Sequence, residues 1–183
     1  MNNINIGLIG YGTLGRTLAA NLSKYDSTIK IIGALELNVV KEKVDFLITK
    51  DIDVLLDLQP DVIVECAGQH ALKSYGLAVV QRGIDLVPAS VGTLVDDEFR
   101  TALICAAKDN GAVIRIPSGA IIGIDGLSAA RYFGIEDVLY RGTVPSNGLH
   151  VDESNDAAMS GKLGRVIVFH GSAREAAQRY PKN

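Results

Sequence analysis

Residues 7–16 read GLIGYGTLGR, and this glycine-rich stretch is the strongest indication of the fold in the sequence. Gly10, Gly12 and Gly15 have the spacing G-x-G-x-x-G, directly after an apolar run over Ile4–Ile9 that predicts a buried strand. The residues that follow the loop carry apolar side chains at helical spacing, so a helix is expected next. A glycine-rich turn between a strand and a helix is typical of the first unit of a doubly wound α/β sheet.

Apolar runs and helical patterns continue to alternate over the first 118 residues. This alternation predicts right-handed strand–helix–strand units and a parallel sheet with helices on both faces. The predicted strands are Ile4–Ile9, Ile29–Leu35, Val44–Ile48, Val62–Ala67, Ile84–Val87 and Val113–Ile116. The predicted helices are Thr13–Tyr25 with Leu14, Leu18, Leu22 and Tyr25 inward, Asp51–Leu58, one with Leu72, Tyr75 and Val79 inward that stops at Gly83, and one from Asp96 or Asp97 to Gly111.

The glycine loop and the start of the first helix are suited to an anionic cofactor. Gly10 permits the tight turn, Gly12 lets a pyrophosphate approach the backbone, and Gly15 lets the helix pack closely. The N–H groups and the dipole at the helix start favour phosphate charge. Glu36 ends the second predicted strand, where a carboxylate accepts hydrogen bonds from ribose hydroxyls and repels a 2′-phosphate. The sequence therefore predicts NAD binding, with NADP as the alternative, and the expected contacts in the loop are Gly10, Tyr11, Gly12, Thr13, Leu14 and Gly15.

Small residues follow three further predicted strands, in the segments Cys66–Gly68, Ala89–Gly92 and Ser118–Ile121. In open α/β sheets the ligand lies beyond the carboxyl ends of the strands, so these segments should meet the same cofactor. Small residues at these places suit a flat ring lying over the backbone, although they are also common in turns. We expect cofactor contacts at Cys66, Ala67 and Ser90.

The composition narrows the classes of function. The chain has 183 residues, 48% of them hydrophobic, which is enough for a full core. The net charge of -3 is spread along the chain without a basic patch, so nucleic-acid binding is not expected. No signal peptide or spanning segment is visible, and the two cysteines lack metal-ligand spacing. These features predict a cytoplasmic protein with no membrane contact and no metal site.

Five stretches together resemble the L-aspartate dehydrogenases of bacteria and archaea. They are GLIGYGTLGR at 7–16, VIVECAGQHALKSYG at 62–76, DLVPASVGTL at 85–94, IPSGAIIGIDGLSAAR at 116–131 and FHGSAREAAQRYPKN at 169–183. The run Ser118–Ile121 followed by Gly123–Asp125 resembles the opening of the family's second domain, and Gly171–Ala176 resembles a later part of it.

The resemblance implies an NAD(P)-dependent oxidoreductase that converts L-aspartate to iminoaspartate, which hydrolyses to oxaloacetate and ammonia or enters NAD synthesis. It implies a Rossmann domain over 1–118 and an incomplete α+β substrate and dimerisation domain over 119–183, in a homodimer. The family's alanine contact to NAD corresponds to Ala120. An asparagine contact and the catalytic histidine are expected beyond Asn183, so the chain alone is expected to lack the family's C-terminal third and its activity.

Deamination requires a proton acceptor at the amine, and histidine suits this role near neutral pH. His70 starts the helix after the fourth predicted strand, on the ligand side of the sheet, and is the candidate substitute for the family's histidine. His150 is expected to be solvated in a polar loop, and His170 to be structural after a predicted strand over Val166–Phe169. Ser118 is a candidate donor to the substrate. The candidate partners for the aspartate carboxylates are Arg131, Arg141, Arg165 and Arg174.

Two other functions stay open. A non-catalytic NAD-binding module is favoured by the absence of the family's histidine. A semialdehyde- or homoserine-type dehydrogenase would use Cys66 as its nucleophile, and a reactive cysteine requires a basic partner or a helix N-terminus. The alternative is that Cys66, which closes a buried strand, is a small apolar side chain that fills the core. Cys105 is expected in the middle of a helix, with its side chain in the core. Ser172 and Glu175 match a capping box and predict a helix over Ser172–Tyr180 without catalytic duty.

Overall fold

Strands and helices alternate through the first of two units of the chain, Met1–Pro117 and Ser118–Asn183. The computed structural model describes residues 3–119, 121–143 and 167–180. The strands of the first unit are β1 (Ile4–Ile9), β2 (Ile29–Leu35), β3 (Leu47–Thr49), β4 (Val62–Glu65) and β5 (Asp85–Pro88). Its helices are α1 (Thr13–Tyr25), α2 (Ile52–Leu56), α3 (Gln69–Gln81) and α4 (Asp97–Asn110), with a 3-10 turn at Val91–Val95.

The strands described in the first unit form one parallel sheet in the order β3-β2-β1-β4-β5. The chain leaves β1 toward β2 on one side and later returns to place β4 on the other side. The carboxyl ends of β1 and β4 therefore flank the point where the strand order reverses, which is where open α/β sheets bind their ligands. The predicted doubly wound α/β fold is confirmed.

Apolar side chains cover both faces of this sheet. Leu8 and Ile9 are consecutive in β1, are almost completely buried and belong to different apolar clusters. Because successive strand residues point to opposite faces, the two clusters lie on opposite sides of the sheet. The cluster around Ile9 includes buried residues of α2, α3 and α4, and the cluster around Leu8 packs with Leu18 and Leu22 of α1.

The inner face of α1 is shorter than its sequence pattern predicts. Leu18 and Leu22 are partly buried, as expected. Leu14 is 46% exposed and Tyr25 is 88% exposed, so their predicted inward orientation is wrong. Leu14 lies in the first turn of the helix and Tyr25 is its last residue, so only the middle turns of α1 pack against the sheet.

The predicted sixth strand over Val113–Ile116 is wrong, because this segment forms only an isolated bridge between Ile114 and Leu86. The N–H of Leu86 donates to the carbonyl of Val113 at 2.9 Å, and the N–H of Arg115 donates to the carbonyl of Leu86 at 2.8 Å. The next donor on β5 in this pattern would be residue 88. Pro88 has no N–H, so the ladder ends there.

The other boundaries differ less from the prediction. The third strand lies at Leu47–Thr49 and α2 ends at Leu56, so both are displaced or shortened by a few residues. The exposure of Cys105 corrects its expected place in the core. Leu103 and Ala107 form the buried face of α4, and Cys105 is rotated by roughly 200° from each of them at 100° per residue.

The described part of the second unit is helical. It contains α5 (Ile124–Ala130), a 3-10 turn at Arg131–Phe133 and α6 (Ala173–Arg179). The capping box before α6 is confirmed, since the Ser172 hydroxyl accepts from the N–H of Glu175 and the Glu175 carboxylate accepts from the N–H of Ser172.

The strand predicted at Val166–Phe169 is not formed by its described residues. Residues 167–170 have no regular structure, and Val166 lies outside the described residues. A strand requires a partner for its backbone groups, and the described part of the second unit contains no strand to provide one. Among the helices described in either unit, none is long and apolar enough to cross a membrane.

Candidate cofactor site

The turn after β1 requires glycine at its first position. Gly10 has a φ of 97°, a conformation that side chains rarely adopt, and its N–H donates to the carbonyl of Leu35 at 2.8 Å. A Cβ on Gly10 would lie 2.7 Å from the Cβ of Ala67. The loop after β1 is therefore in direct contact with the loop after β4.

The N-terminus of α1 is open to an anionic group. Gly12 is the N-cap residue of α1, no side chain caps it, and the first turn contains no acidic residue. A Cβ on Gly12 would have no other atom within 4 Å. The side chains of Asp51, Asp96 and Ser172, in contrast, cap the helices α2, α4 and α6. The uncapped N–H groups of α1 thus face space that a phosphate group can enter.

Gly15 fills a different need, because a Cβ there would collide with the carbonyl oxygen of Gly10 and lie 3.4 Å from the sulfur of Cys66. The absence of a side chain lets α1 pack closely on the turn and on the end of β4, as expected. Thr13 and Leu14 are exposed in the first turn of α1.

Tyr11 directs its ring into the fold. The ring is buried, packs edge-on against Phe46 with 5.4 Å between centroids, and lies below the guanidinium of Arg16 at 5.6 Å. The N–H of Tyr11 donates to Oε2 of Glu36 at 2.8 Å. Tyr11 therefore contributes its backbone to this edge of the sheet, and its ring contributes to the core.

Glu36 joins the glycine loop to the segment after β2. Its Oε1 accepts hydrogen bonds from the N–H and the side-chain amide of Asn38, both at 2.8 Å. Partial burial raises the pKa of Glu36, but the hydrogen bonds from Asn38 and Tyr11 outweigh it, so the pKa lies below its ordinary value. The group is a carboxylate at neutral pH. An open depression of about 330 Å³ lies beside it, lined by Glu36, Asn38, Val39, Val40, Glu42, Ile48, Thr49 and Lys50.

Cys66 is a half-buried thiol at the end of β4. Its sulfur donates a hydrogen bond to the carbonyl of Gly10 at 3.1 Å. Burial, and then the negative charges of Glu65 and Glu36, raise the pKa of Cys66 to about 12. A nucleophilic cysteine requires a lowered pKa, so this environment disfavours the dehydrogenase that would use Cys66 as its nucleophile.

A buried carboxylate connects the segments after β4 and β5, and sequence reasoning missed it. Glu65 is the last residue of β4 and is 0% exposed. Its Oε1 accepts from the N–H groups of Ala67 and Gly68, both at 2.8 Å, and its two oxygens accept from the hydroxyl and the N–H of Ser90. A charged residue within the apolar run VIVECA was the available signal.

The remaining candidate residues are more dispersed. His70 is exposed at the second position of α3. His170, Ser118, Arg131, Arg141 and Arg174 are exposed in the second unit. Ala120, His150 and Arg165 lie outside the described residues. Within the described ranges, no group of three or more histidine, cysteine, aspartate or glutamate residues is arranged to hold a metal ion.

Two families match successive parts of the chain. Residues 10–117 match the homoserine dehydrogenase NAD binding domain, and residues 125–183 match the aspartate dehydrogenase C-terminal domain. A solved structure of aspartate dehydrogenase from Thermotoga maritima matches with a TM-score of 0.68 at 23% identity. The match covers 100% of this chain and 70% of the chain in that structure. At this identity the structural likeness supports the fold alone.

Sequence relatives match over almost the whole chain. L-aspartate dehydrogenase 1 of Bordetella pertussis is 45% identical over 181 residues, which cover 98% of this chain and 68% of the relative. The L-aspartate dehydrogenase of Acinetobacter baylyi is 37% identical over 184 residues, with coverage of 96% and 68%. The chain belongs to the L-aspartate dehydrogenase family of oxidoreductases, as its sequence motifs imply.

Proposed function

We propose that this chain binds NAD at the carboxyl edge of its sheet and serves the oxidation of L-aspartate to iminoaspartate. The observation that carries the proposal is the pairing of an open, uncapped helix N-terminus at Gly12 with the Glu36 carboxylate beside it. The helix N-terminus is suited to bind a pyrophosphate, and the carboxylate is suited to accept hydrogen bonds from the hydroxyls of an adenosine ribose. The names of the relatives support aspartate as the substrate.

The chain's own residues would hold the cofactor in separate ways. The N–H groups at the start of α1 bind phosphate charge, with Thr13 and Leu14 at the same turn. Glu36 accepts from ribose hydroxyls and disfavours NADP. Cys66, Ala67 and Ser90 would contact the nicotinamide half of the cofactor from below, and Ala120 is a further proposed contact. When bound, the nicotinamide ring accepts a hydride from the substrate.

The second unit would supply the substrate site. Aspartate has two carboxylates, which require cationic or hydrogen-bond donors. Arg131, Arg141 and Arg174 are exposed candidates within the described residues, as is the hydroxyl of Ser118. His70, in the first unit, is the candidate substitute for the family's histidine within the part of the chain that the structure describes. The product, iminoaspartate, would hydrolyse to oxaloacetate and ammonia or enter NAD synthesis.

We also propose a homodimer formed through the second unit and a cytoplasmic location. Ile122, Phe133 and Leu139 are 97%, 90% and 73% exposed, and such side chains are typical of interaction surfaces. Both cysteines are free thiols, as is usual in a reducing compartment. Sedimentation of the chain tests the dimer, since replacing Phe133 with glutamate should shift a dimer to a monomer. An unaltered chain that sediments as a monomer would contradict it.

Nicotinamide fluorescence and absorbance test the function directly. NADH should bind saturably to this chain. When the chain is extended to the full length of its relatives, of which it covers 68%, NADH should form from NAD on addition of L-aspartate but not of L-glutamate. Saturable binding without turnover of aspartate by that longer chain would support the non-catalytic NAD-binding module instead. No saturable binding at millimolar cofactor would contradict both functions.

A further inference from the structure

Glu65 is a buried carboxylate that has no part in the proposed reaction as described above. Its side chain is 0% exposed at the end of β4, between the segments expected to face the nicotinamide. Burying a carboxylate is costly unless its oxygens are fully hydrogen-bonded. An apolar residue at this position would complete the strand without that cost, so the carboxylate requires another explanation.

The hydrogen bonds of Glu65 join two loops. Oε1 accepts from the N–H groups of Ala67 and Gly68 at 2.8 Å and from the hydroxyl of Ser90 at 3.0 Å. Oε2 accepts from the N–H of Ser90 at 3.1 Å, and the backbone carbonyl of Glu65 accepts from the N–H of Ala89 at 2.8 Å. Fixed N–H and O–H dipoles therefore stabilise the negative charge and hold the loop after β4 to the loop after β5.

The same arrangement extends to the glycine loop. Ala67, whose N–H is bound by Glu65, packs directly against Gly10. A Cβ added to Gly10 would lie only 2.7 Å from the Cβ of Ala67. The neighbouring Cys66 donates its thiol hydrogen to the carbonyl of Gly10. The three loops at the carboxyl ends of β1, β4 and β5 are thus linked through Glu65 and the neighbouring residues Cys66 and Ala67.

We propose that Glu65 is a positioning residue for the nicotinamide cofactor, whose buried carboxylate fixes the loops at Ala67–Gly68 and at Ser90 before the cofactor arrives. This proposal rests on the proposed function. Preorganised loops bind more tightly because the ordering cost is not paid on binding. Glutamine has the same shape, but an NH2 group replaces one of the two carboxylate oxygens. Because both oxygens accept from backbone N–H groups, at least one of these N–H groups would lose its acceptor.

Two carboxylate-to-amide variants form the test. Glu65→Gln should raise the Kd for NADH by about tenfold or more. Asp85→Asn is the matched control, because Asp85 also accepts from a backbone N–H, that of Val113, but at the start of β5, at the opposite end of the sheet. Its Kd for NADH should stay within about twofold of the unaltered chain. Both titrations are made at a temperature where circular dichroism shows folded protein.

Amide hydrogen exchange gives a readout that does not depend on the cofactor. In the unliganded chain the N–H groups of Ala67, Gly68 and Ser90 should be protected, and Glu65→Gln should remove this protection while Asp85→Asn leaves it. If Glu65→Gln does not fold, Ser90→Ala replaces it, because it deletes only the hydroxyl donor and should still speed exchange at Ala67 and Gly68.

The outcomes separate this proposal from the proposed function. If the unaltered chain binds NADH and Glu65→Gln binds it equally well, the positioning role is wrong and the proposed function stands. Unprotected amides at Ala67, Gly68 and Ser90 in the unliganded chain would also overturn the positioning role. A chain that does not bind NADH at all would overturn both.

Discussion

Single glycines in the loop after β1 serve different physical purposes. Gly10 adopts a φ of 97° and touches Ala67, so its lack of a side chain is required for folding. Gly12 has a φ of -78° and open space around the place of its Cβ, so its lack of a side chain serves no packing need. The difference supports a ligand at Gly12.

Replacing these two glycines should therefore have opposite effects. Gly12→Val should unfold at nearly the temperature of the unaltered chain but lose NADH binding, because the side chain enters the proposed phosphate site. Gly10→Ala should lower the free energy of unfolding by about 1 to 3 kcal/mol, because alanine is strained at this φ. Thermal unfolding and NADH titration of both variants check this. Tight NADH binding by Gly12→Val would refute the proposed phosphate site.

The thiol of Cys66 should be unreactive at ordinary pH. Burial and two neighbouring negative charges raise its pKa to about 12, so the nucleophilic thiolate is scarce at pH 8. Iodoacetamide should label Cys105, which is exposed, well before Cys66. Peptide mass spectrometry at successive times measures both rates. Rapid labelling of Cys66, with loss of activity, would instead support a dehydrogenase that uses Cys66 as its nucleophile.

Glu36 should decide between the two cofactors. Its carboxylate repels a 2′-phosphate, so the unaltered chain should bind NADH more tightly than NADPH. Glu36→Gln keeps the shape of the side chain and removes the charge, so it should narrow the ratio of the two Kd values. Titrations with both cofactors measure this ratio. A preference for NADPH in the unaltered chain would contradict the role of Glu36.

Among the elements, helix ends were the most predictable feature because local side chains determine them. Asp96 caps α4 through the N–H of Phe99, and Gly111 ends it in the left-handed conformation. Strand ends depend on the partner strand instead. Nothing local to Val113–Ile116 indicates that Pro88, on the neighbouring strand, would end the ladder.

The cap of α4 should make stability depend on pH. The ion pair with Lys73, and then the N–H of Phe99, hold the pKa of Asp96 below its ordinary value. Its stabilising effect is therefore present above the pKa of the unfolded state and is lost as the pH falls through the folded pKa. Asp96→Asn retains a capping side chain without the charge. Its melting temperature should fall below that of the unaltered chain at pH 7, with a smaller gap at pH 3. An equal gap at both values would contradict this role.

For the whole molecule, the sequence was sufficient to predict the order of strands and helices from β1 to α4 and the edge of the sheet that carries the glycine loop. The strand–turn–helix context determined both. The hydrogen bonds between Glu65 and Ser90 were not predictable, because Ser90 lies in the loop after β5 and meets Glu65 only after the sheet forms. The exposure of Leu14 depends in the same way on how far neighbouring elements extend, whereas the exposure of Cys105 follows from its position on α4 away from Leu103 and Ala107.

Amide NMR spectra recorded during an NADH titration would show whether NAD binds at the carboxyl edge of the sheet. We expect saturable shifts at Gly10–Gly15, Ala67–Gly68 and Ser90. Amides at the opposite end of the sheet, such as those of Asn5 and Asp85, should not move. Saturable shifts centred on that opposite end, or no saturable shift at all, would rule out NAD binding at the carboxyl edge.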